Sequence, residues 1–534
     1  MIVGDLVQKQ EMLARDRATF DNHWEEVAEL VLSRSNTFNH NNSQDGEKRG
    51  RKKYDDTATL ALDHGAAAIE SVVSPRGQRW HGIGVADDIE NDKEAQVWSD
   101  RLTTFLFKRR YSARSNFASQ LHECYLSLLA FGNCAISVED MMNGYVRYSS
   151  NHIKEHFFME NSFGMIDATY RKFKLTARQI AEKFPNNIPP SVEKCLEKEP
   201  ARKFDILHCV MPDDEKETNM KFVSFYVHIE DKFLLSRGGY NSFPYIISRW
   251  TTEPSETYGR SPAMALLSEI KMLNSMRKTD IQARRNAVSP PLLAADQHTV
   301  RKLSLKENAV NYGTIDANGR PLVLPFNSGV NISASNDGIE QSREFINRGF
   351  FLNLFQILVD APSMTATEVL QRAQEKGQLL TPTAGRQMSE LLEPIIMREI
   401  SIFEEYGVFE DGGILALPES MKKTGGKFEV KYTNPLSKMQ MADEAMGVQN
   451  TVNALIPIAQ FDPSVLKRVD WKEYADIMRE ANGAPSRLFK SDEQMDAEEA
   501  QEAELANMQM MVQSAPQVAG AIKDVAQAQS YASQ

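Results

Sequence analysis

Near the N-terminus the apolar positions recur with helical spacing. Phe20, Trp24, Val27 and Val31 stand at i, i+4, i+7 and i+11, one face of a helix predicted from Asp5 to Leu32. A polar stretch from Asn36 to Lys53 follows, ends in the basic run KRGRKK, and reads as a solvated loop. An alanine-rich helical pattern then runs from Thr57 to Val73, where Ser74-Pro75 stops it. From Tyr145 to Tyr245 the period shortens. Alternating segments such as Lys221 to Val227, separated by turn residues, predict a mostly β region with one helix near Thr176 to Phe184, an α+β domain.

Beyond Ser261 long helices dominate. Ser261-Pro262 is an N-cap followed by proline at the first helical position, and the helix it opens runs to about Asn286. Leu266, Ile270, Leu273 and Met276 mark its packing face, while Lys271, Lys278 and Arg285 recur every seven residues along one side. Arg277 and Arg284 form a second basic row. Ser289 to Ser335 holds prolines, turns and short strand candidates, after which Asp337 to Glu340 resembles a capping box opening a second helix to about Val359. Its stripe is Ile346, Phe350, Leu354 and Ile357. Asp360 to Met364 interrupts the pattern, and a third helical stretch, with Pro382 and Pro394 expected to kink or break it, ends near Tyr406. Two antiparallel rods, joined by a lobe at one end and a short loop at the other, are thus predicted. Beyond Lys438 the chain is helical again, and Asp492 to Glu504 carries seven acidic residues and no basic one.

Length and charge narrow the picture. A chain of 534 residues exceeds one hydrophobic core, so several structural regions are expected. The formal charge of −12 disfavours a general nucleic-acid coat, yet between Tyr258 and Lys306 nine basic residues face three acidic ones. Positive charge is therefore segregated on the first rod. Cys124, Cys134, Cys195 and Cys209 show no CxxC pair and no zinc spacing, and read as buried hydrophobes. No secretory leader and no uninterrupted apolar span is read, so no membrane partner is expected.

Three strings invite a catalytic or metal reading. His152-Ile-Lys-Glu-His156 matches the H-x-x-E-H pattern, which needs both imidazoles on one helical face and a glutamate beside metal-bound water. A zinc-dependent hydrolase using His152, Glu155 and His156 is accordingly the rival reading, although the residues that follow suggest a strand. Asp87 to Asp92 resembles a calcium loop only in its acidity, because Lys93 stands where glycine is needed. No phosphate-binding loop, dinucleotide fingerprint or nucleophile elbow occurs, so no cofactor and no enzymatic activity are expected.

Read in order, several strings resemble the portal, or head-tail connector, proteins of T7-like short-tailed bacteriophages. They are Tyr54-Asp-Asp-Thr-Ala58 leading to Ser74-Pro-Arg-Gly-Gln-Arg-Trp80, Leu128-Leu-Ala-Phe-Gly-Asn133 and Tyr258-Gly-Arg-Ser-Pro-Ala-Met264 running into Leu273-Asn274. Further along come Met364-Thr-Ala-Thr-Glu-Val369, Arg372, Leu391-Leu-Glu-Pro-Ile-Ile-Met-Arg398 and Ala481-Asn-Gly-Ala-Pro485.

The resemblance implies a mixed α+β, predominantly helical portal fold with wing, stem, clip and crown regions, assembling as a ring, a dodecamer in the family. It implies a wing over 1–257, stem helices over 258–287 and 336–358 and a clip over 288–335. A channel loop over 359–366, a second wing part over 367–438 and a crown with helical tail over 439–534 complete the expected division. Lys271, Lys278, Arg284 and Arg285 become candidates for lining a DNA channel, and Val359, Asp360, Ala361, Pro362, Ser363, Met364 and Thr365 the channel loop. The same charges could instead interlock neighbouring stem helices. The expected function is a passive conduit at one capsid vertex for packaging and ejecting double-stranded DNA, which is held without sequence specificity. Expected partners are the terminase large subunit, tail adaptor proteins, and major capsid and scaffolding proteins. The expected place is the virion, with assembly in the host cytoplasm.

Overall fold

The structure is a computed structural model. It describes residues 3–482 except 33–37, 39–52, 86–91, 142–143, 215, 217, 295–302, 307, 327–331, 353–381 and 424–427, together with Met495. The chain divides into two compact units. Met1–Trp80, Leu106–Phe409 and Asn434–Gln440 form the first, and His81–Phe105, Glu410–Thr433 and Met441–Gln534 the second.

The predicted N-terminal helix is two, α1 (Val3–Asp16) and α2 (Ala18–Leu30), parted by Arg17. That residue is buried, and its guanidinium donates to the carbonyls of Ile153, Lys154 and His156. A buried cation with three acceptors fixes the chain at this point, which apolar periodicity cannot report. Helix α3 (Thr57–Val73) ends at Ser74 as its sequence predicts, and α4 (Lys93–Arg110) and α5 (Phe117–Phe131) follow.

Alternating apolar residues build the β part of the first unit. In the second unit β1 (His81–Val85) is taken up elsewhere; here β2 (Asn133–Asp140), β3 (Val146–Asn151) and β9 (Tyr245–Arg249) form an antiparallel sheet ordered β3-β2-β9. Strands β4 (His156–Glu160), β5 (Ile166–Thr176), β6 (Lys203–Pro212), β7 (Phe222–His228) and β8 (Phe233–Tyr240) make a five-stranded meander. Phe157, Tyr170, Leu207, Cys209, Phe225 and Val227 join Leu6 and Val7 of α1 in one apolar cluster. A second cluster joins Ile206 and Leu235 to α6 (Ala177–Lys183) and to α7 (Pro190–Lys198), a helix the periodicity left unmarked. Thr176 and Gln179 form a reciprocal capping box on α6.

A polar ladder crosses the meander through His156, Arg171, His208 and Tyr226, each opposite the next in register. His208 bonds Tyr245 at 2.6 Å and Ser224 at 2.8 Å. Burial pushes both imidazoles well below the usual histidine range, so they sit neutral.

Two strings of the resemblance prove to be one joint. Gly132 closes α5 with φ +74°, and a Cβ there would lie 2.5 Å from the Gly259 carbonyl oxygen. Asn133 completes the dock, accepting from Gly259 N at 2.8 Å and donating to its carbonyl at 3.1 Å. Ser261 then donates to the Ala130 carbonyl at 2.8 Å and caps the turn α8 (Pro262–Ala265) through Met264 N at 2.9 Å. Only glycine tolerates both the backbone conformation and the approach.

From α8 the chain enters α9 (Leu267–Val288), then a two-stranded lobe of β10 (Leu292–Ala294) and β11 (Val323–Pro325), then α10 (Ile332–Gly349). Helix α10 starts ahead of the expected Asp337, because Asn336 and Asp337 lie within it instead of capping it. Phe351 adopts φ +64° just past its end; the rest of the predicted helix to Val359 lies outside the described residues. At Pro394 the third helical stretch is interrupted as expected, its α-helical bonding giving way to a π turn just ahead of the proline. Residues 388–392 form that π turn between helical residues 382–387 and α11 (Glu393–Glu405), and Pro394 sits in the first turn of α11.

In the second unit, β1 pairs antiparallel with β12 (Phe428–Tyr432), and the aliphatic stem of Lys431 covers Gly84. Ala95, Trp98 and Leu102 form one buried face of α4, and Trp98 donates to the Leu415 carbonyl at 3.1 Å. Helices α12 (Glu419–Lys423), α13 (Pro435–Ala459) and α14 (Trp471–Asn482) complete the described chain. No helix among the described residues is long and apolar enough to cross a membrane.

Candidate functional site

The basic rows of α9 sort themselves by what each side chain meets. Leu267, Ile270, Leu273 and Asp280 are its buried positions, and α10 buries Ile339 and Ile346. The helices run antiparallel. Gly338, early in α10, lies beside the Met276 methyl, and Gly349, at its end, lies against Leu266.

Asp280 is the polar centre of this contact. Its side chain is 1% exposed and takes Arg277 at 2.7 Å and Arg284 at 2.9 Å. Arg284 also reaches Asn336 of α10 at 2.8 Å, so one guanidinium joins both helices. A short strap laces them again from outside. Tyr54 N donates to Asn274 Oδ1 at 2.6 Å, while Asp55 takes Arg343 of α10 at 2.7 Å. Burial opposes ionisation of Asp55, but hydrogen bonds from Thr57 and Arg343 outweigh it and hold the carboxyl below its usual value. The string Tyr54-Asp-Asp-Thr thus has a structural task. Its partners stand more than two hundred residues away, and neither Arg343 nor Asn336 nor Asp280 carries a local signal of that pairing.

The four channel candidates therefore separate. Lys271 pairs with Glu26 of α2 at 2.8 Å. Arg284 is committed to Asp280 and Asn336. Lys278 is exposed, its ammonium 5.7 Å from the centre of the Tyr54 ring, and Arg285 is exposed with no ion-pair partner among the described residues. The expected channel loop, Val359 to Thr365, lies outside the described residues, as do most of the basic run before Tyr54 and the acidic loop before Asp92.

The H-x-x-E-H pattern is not a metal centre in this fold. His152 caps a 3-10 turn, Ile153–Glu155, and accepts from Lys154 N at 3.1 Å; Glu155 pairs with Arg171 at 3.0 Å; His156 is buried in β4 beside Thr169 at 3.3 Å. The helical face that would bring both imidazoles to one ion is replaced by a turn and a strand. Among the described residues no three His, Cys, Asp or Glu side chains are placed to hold a metal. The four cysteines are free, three buried and Cys195 half-buried.

The profile of the family described as "Bacteriophage head to tail connecting protein" matches residues 4–489. The chain belongs to that family. Among its relatives, a protein named "Probable portal protein" from Bordetella phage BPP-1 is 24% identical over 497 residues, covering 91% of this chain and 88% of its own length. The "Portal protein" of Salmonella phage epsilon15 is 23% identical over 539 residues, covering 97% and 95%. A solved structure titled "Neck of empty GTA particle computed with C6 symmetry" aligns with 75% of this chain and 86% of that chain. Its TM-score of 0.36 and identity of 11% are too low to bear on the fold. The expected portal family is thus shown, no finding supports the zinc hydrolase, and the paired helices α9 and α10 become the natural place to look for the connector's working surface.

Proposed function

We propose that this connector-family chain assembles as a closed ring, a dodecamer, whose channel passes double-stranded DNA into and out of the capsid. The observation that carries the reading is the antiparallel pair α9 and α10, which presents Lys278 and Arg285 on an exposed side while Arg277 and Arg284 are paired with Asp280. A conduit must let its cargo slide. Each phosphate neutralised adds about 0.9 to the salt slope and slows release, so a sparse basic row on an acidic chain suits transport better than a dense one.

The lobe between the helices supports assembly. Leu305, Val310, Tyr312, Ile315 and Leu324 are each half or more exposed, and Tyr312 is 83% exposed. Two short strands cannot cover such residues, so neighbouring copies are the proposed cover. In this reading residues 258–287 and 336–358 are the stem, 288–335 the clip and 359–366 the channel loop. The segments 1–257 and 367–438 are the wing, and 439–534 the crown and tail. The clip meets the terminase large subunit during packaging and tail adaptors afterwards; capsid and scaffolding proteins contact the rest, and the chain itself performs no catalysis. The ring resides at one vertex of the virion and is built in the host cytoplasm. Negative-stain electron microscopy of the purified protein tests this directly. Closed annuli with a central hole are expected, and a monodisperse monomer at micromolar concentration overturns it.

A further inference from the structure

The strap that crosses the helix pair does its lacing with a main-chain amide and a carboxylate. Tyr54 N reaches Asn274 and Asp55 takes Arg343, so any residue but proline at position 54 could serve the first bond, and the phenol ring takes no part in either. The ring is engaged all the same. It is 39% exposed and lies 5.7 Å from the Lys278 ammonium, within the range at which an aromatic face attracts a cation. Asn274 and Lys278 stand four residues apart on α9 and share one helical face, so the anchor of the strap sets the ring beside the lysine.

The acids nearby are occupied elsewhere. On α9 the positions three and four residues from Lys278 are Asn274, Ser275, Ile281 and Gln282, none of them a carboxylate. The two carboxylates that follow Tyr54 are engaged, Asp55 by Arg343 and the Thr57 amide, and Asp56 by Lys53 at 2.8 Å. Lys278 thus differs from Lys271, paired with Glu26, and from Arg284, paired with Asp280, in having an aromatic ring as its neighbour in place of a counter-ion.

We infer that Tyr54 is a positioning residue for Lys278, holding its ammonium at the surface of the helix pair without neutralising it. A carboxylate in the same place would fix the side chain and cancel its charge, whereas the quadrupole of a ring fixes it and leaves the charge whole. An unheld lysine spreads its charge over many rotamers and loses that freedom on meeting a phosphate. A lysine already held against a ring loses less, so each encounter is stronger for the same charge. The inference rests on the conduit reading, in which Lys278 is one of the few cations offered to passing DNA, and adds the residue that aims it.

Two measurements test it on Tyr54→Phe, Tyr54→Leu, Lys278→Met and the double variant Tyr54→Leu with Lys278→Met. Acylation of the purified protein by limiting acetic anhydride, read by peptide mass spectrometry against the exposed Lys172, reports the contact in the absence of DNA. The ring shields the amine, so Tyr54→Leu should raise the rate at Lys278 roughly twofold, while Tyr54→Phe, which keeps an aromatic face, should leave it unchanged. Capsids assembled with each variant report the consequence. Tyr54→Leu should lower packaged DNA about two- to fivefold, Tyr54→Phe should package as wild type, and in the Lys278→Met background Tyr54→Leu should add no further loss. An equal loss with and without Lys278 overturns the inference, because the ring would then serve the strap alone; so does an unchanged acylation rate in Tyr54→Leu. Normal packaging by Lys278→Met overturns the inference and leaves the conduit standing, whereas wild-type protein that forms no annuli overturns the conduit reading and the inference with it.

Discussion

Two arginine–carboxylate constructions hold different parts of this chain, and they are built by opposite rules. Arg110 and Glu399 are sealed in the body, stacked over by Trp80, Phe107 and Phe117 and closed by the Tyr148 hydroxyl on the same carboxylate. Asp280 is equally buried, but its arginines are 33% and 45% exposed, and one of them spans to the neighbouring helix. The first pair lies inside a finished core and cannot be exchanged for water. The second is a lace on a thin two-helix contact, wet on its outer side. The first construction is closed by side chains packed around it, whereas the second leaves its arginines partly in water.

Several variants test that contrast. Glu399→Ala should cost most, about 3–5 kcal/mol, because it strands the Arg110 cation in an apolar setting; a loss below 1 kcal/mol in thermal or denaturant unfolding would place the pair closer to the Asp280 type. Gly132→Ala should follow at about 3 kcal/mol, since both the left-handed backbone and the Gly259 carbonyl resist a side chain. Asp280→Ala should cost only about 1–2 kcal/mol in the subunit, its partners being partly hydrated. The sharper readout is the assembly, where annuli should become heterogeneous under electron microscopy while the melting of the body stays near wild type.

Acidification comes next. His156 and His208 are held neutral by burial, their folded pKa values well below 6.5. The unfolded chain therefore binds protons that the folded chain refuses, and stability present above pH 6.5 declines as the pH falls below it. Melting temperatures measured on either side of that value should show the decline, and a His208→Asn variant should show less of it. The smallest effect on stability belongs to Lys278→Glu with Arg285→Glu. Both side chains are exposed, so melting should barely move while packaged DNA falls several-fold; failure of ring formation instead would assign these charges to the subunit interface.

Much of this architecture is legible in the chain because it rests on short-range periodicity. Thr57 to Val73, the α6 capping box, the β meander and the two antiparallel rods all announce themselves within a few residues. What escapes is whatever depends on distant partners. Nothing near Arg17 says that it will cap three carbonyls of the segment around Lys154, and nothing near Asp337 says that Asn336 will reach Arg284 and leave the helix to begin earlier. Pro394 announced an interruption, but not that it would take the form of a π turn, which has no one-residue signature. The division into units was equally hidden, since β1 finds its partner in β12, near the far end of the chain. Of the channel candidates, residue type alone ranked Arg284 with Arg285, and only the buried Asp280 separates them.

In the proposed ring, the apolar lobe carries a cost that falls before assembly. A newly folded protomer offers Leu305, Val310, Tyr312 and Ile315 to a crowded solution, where any greasy surface competes with the proper neighbour. Whether such chains close or precipitate is then a race between encounter and misadhesion, and overproduction of the lone subunit should tilt it toward inclusion bodies.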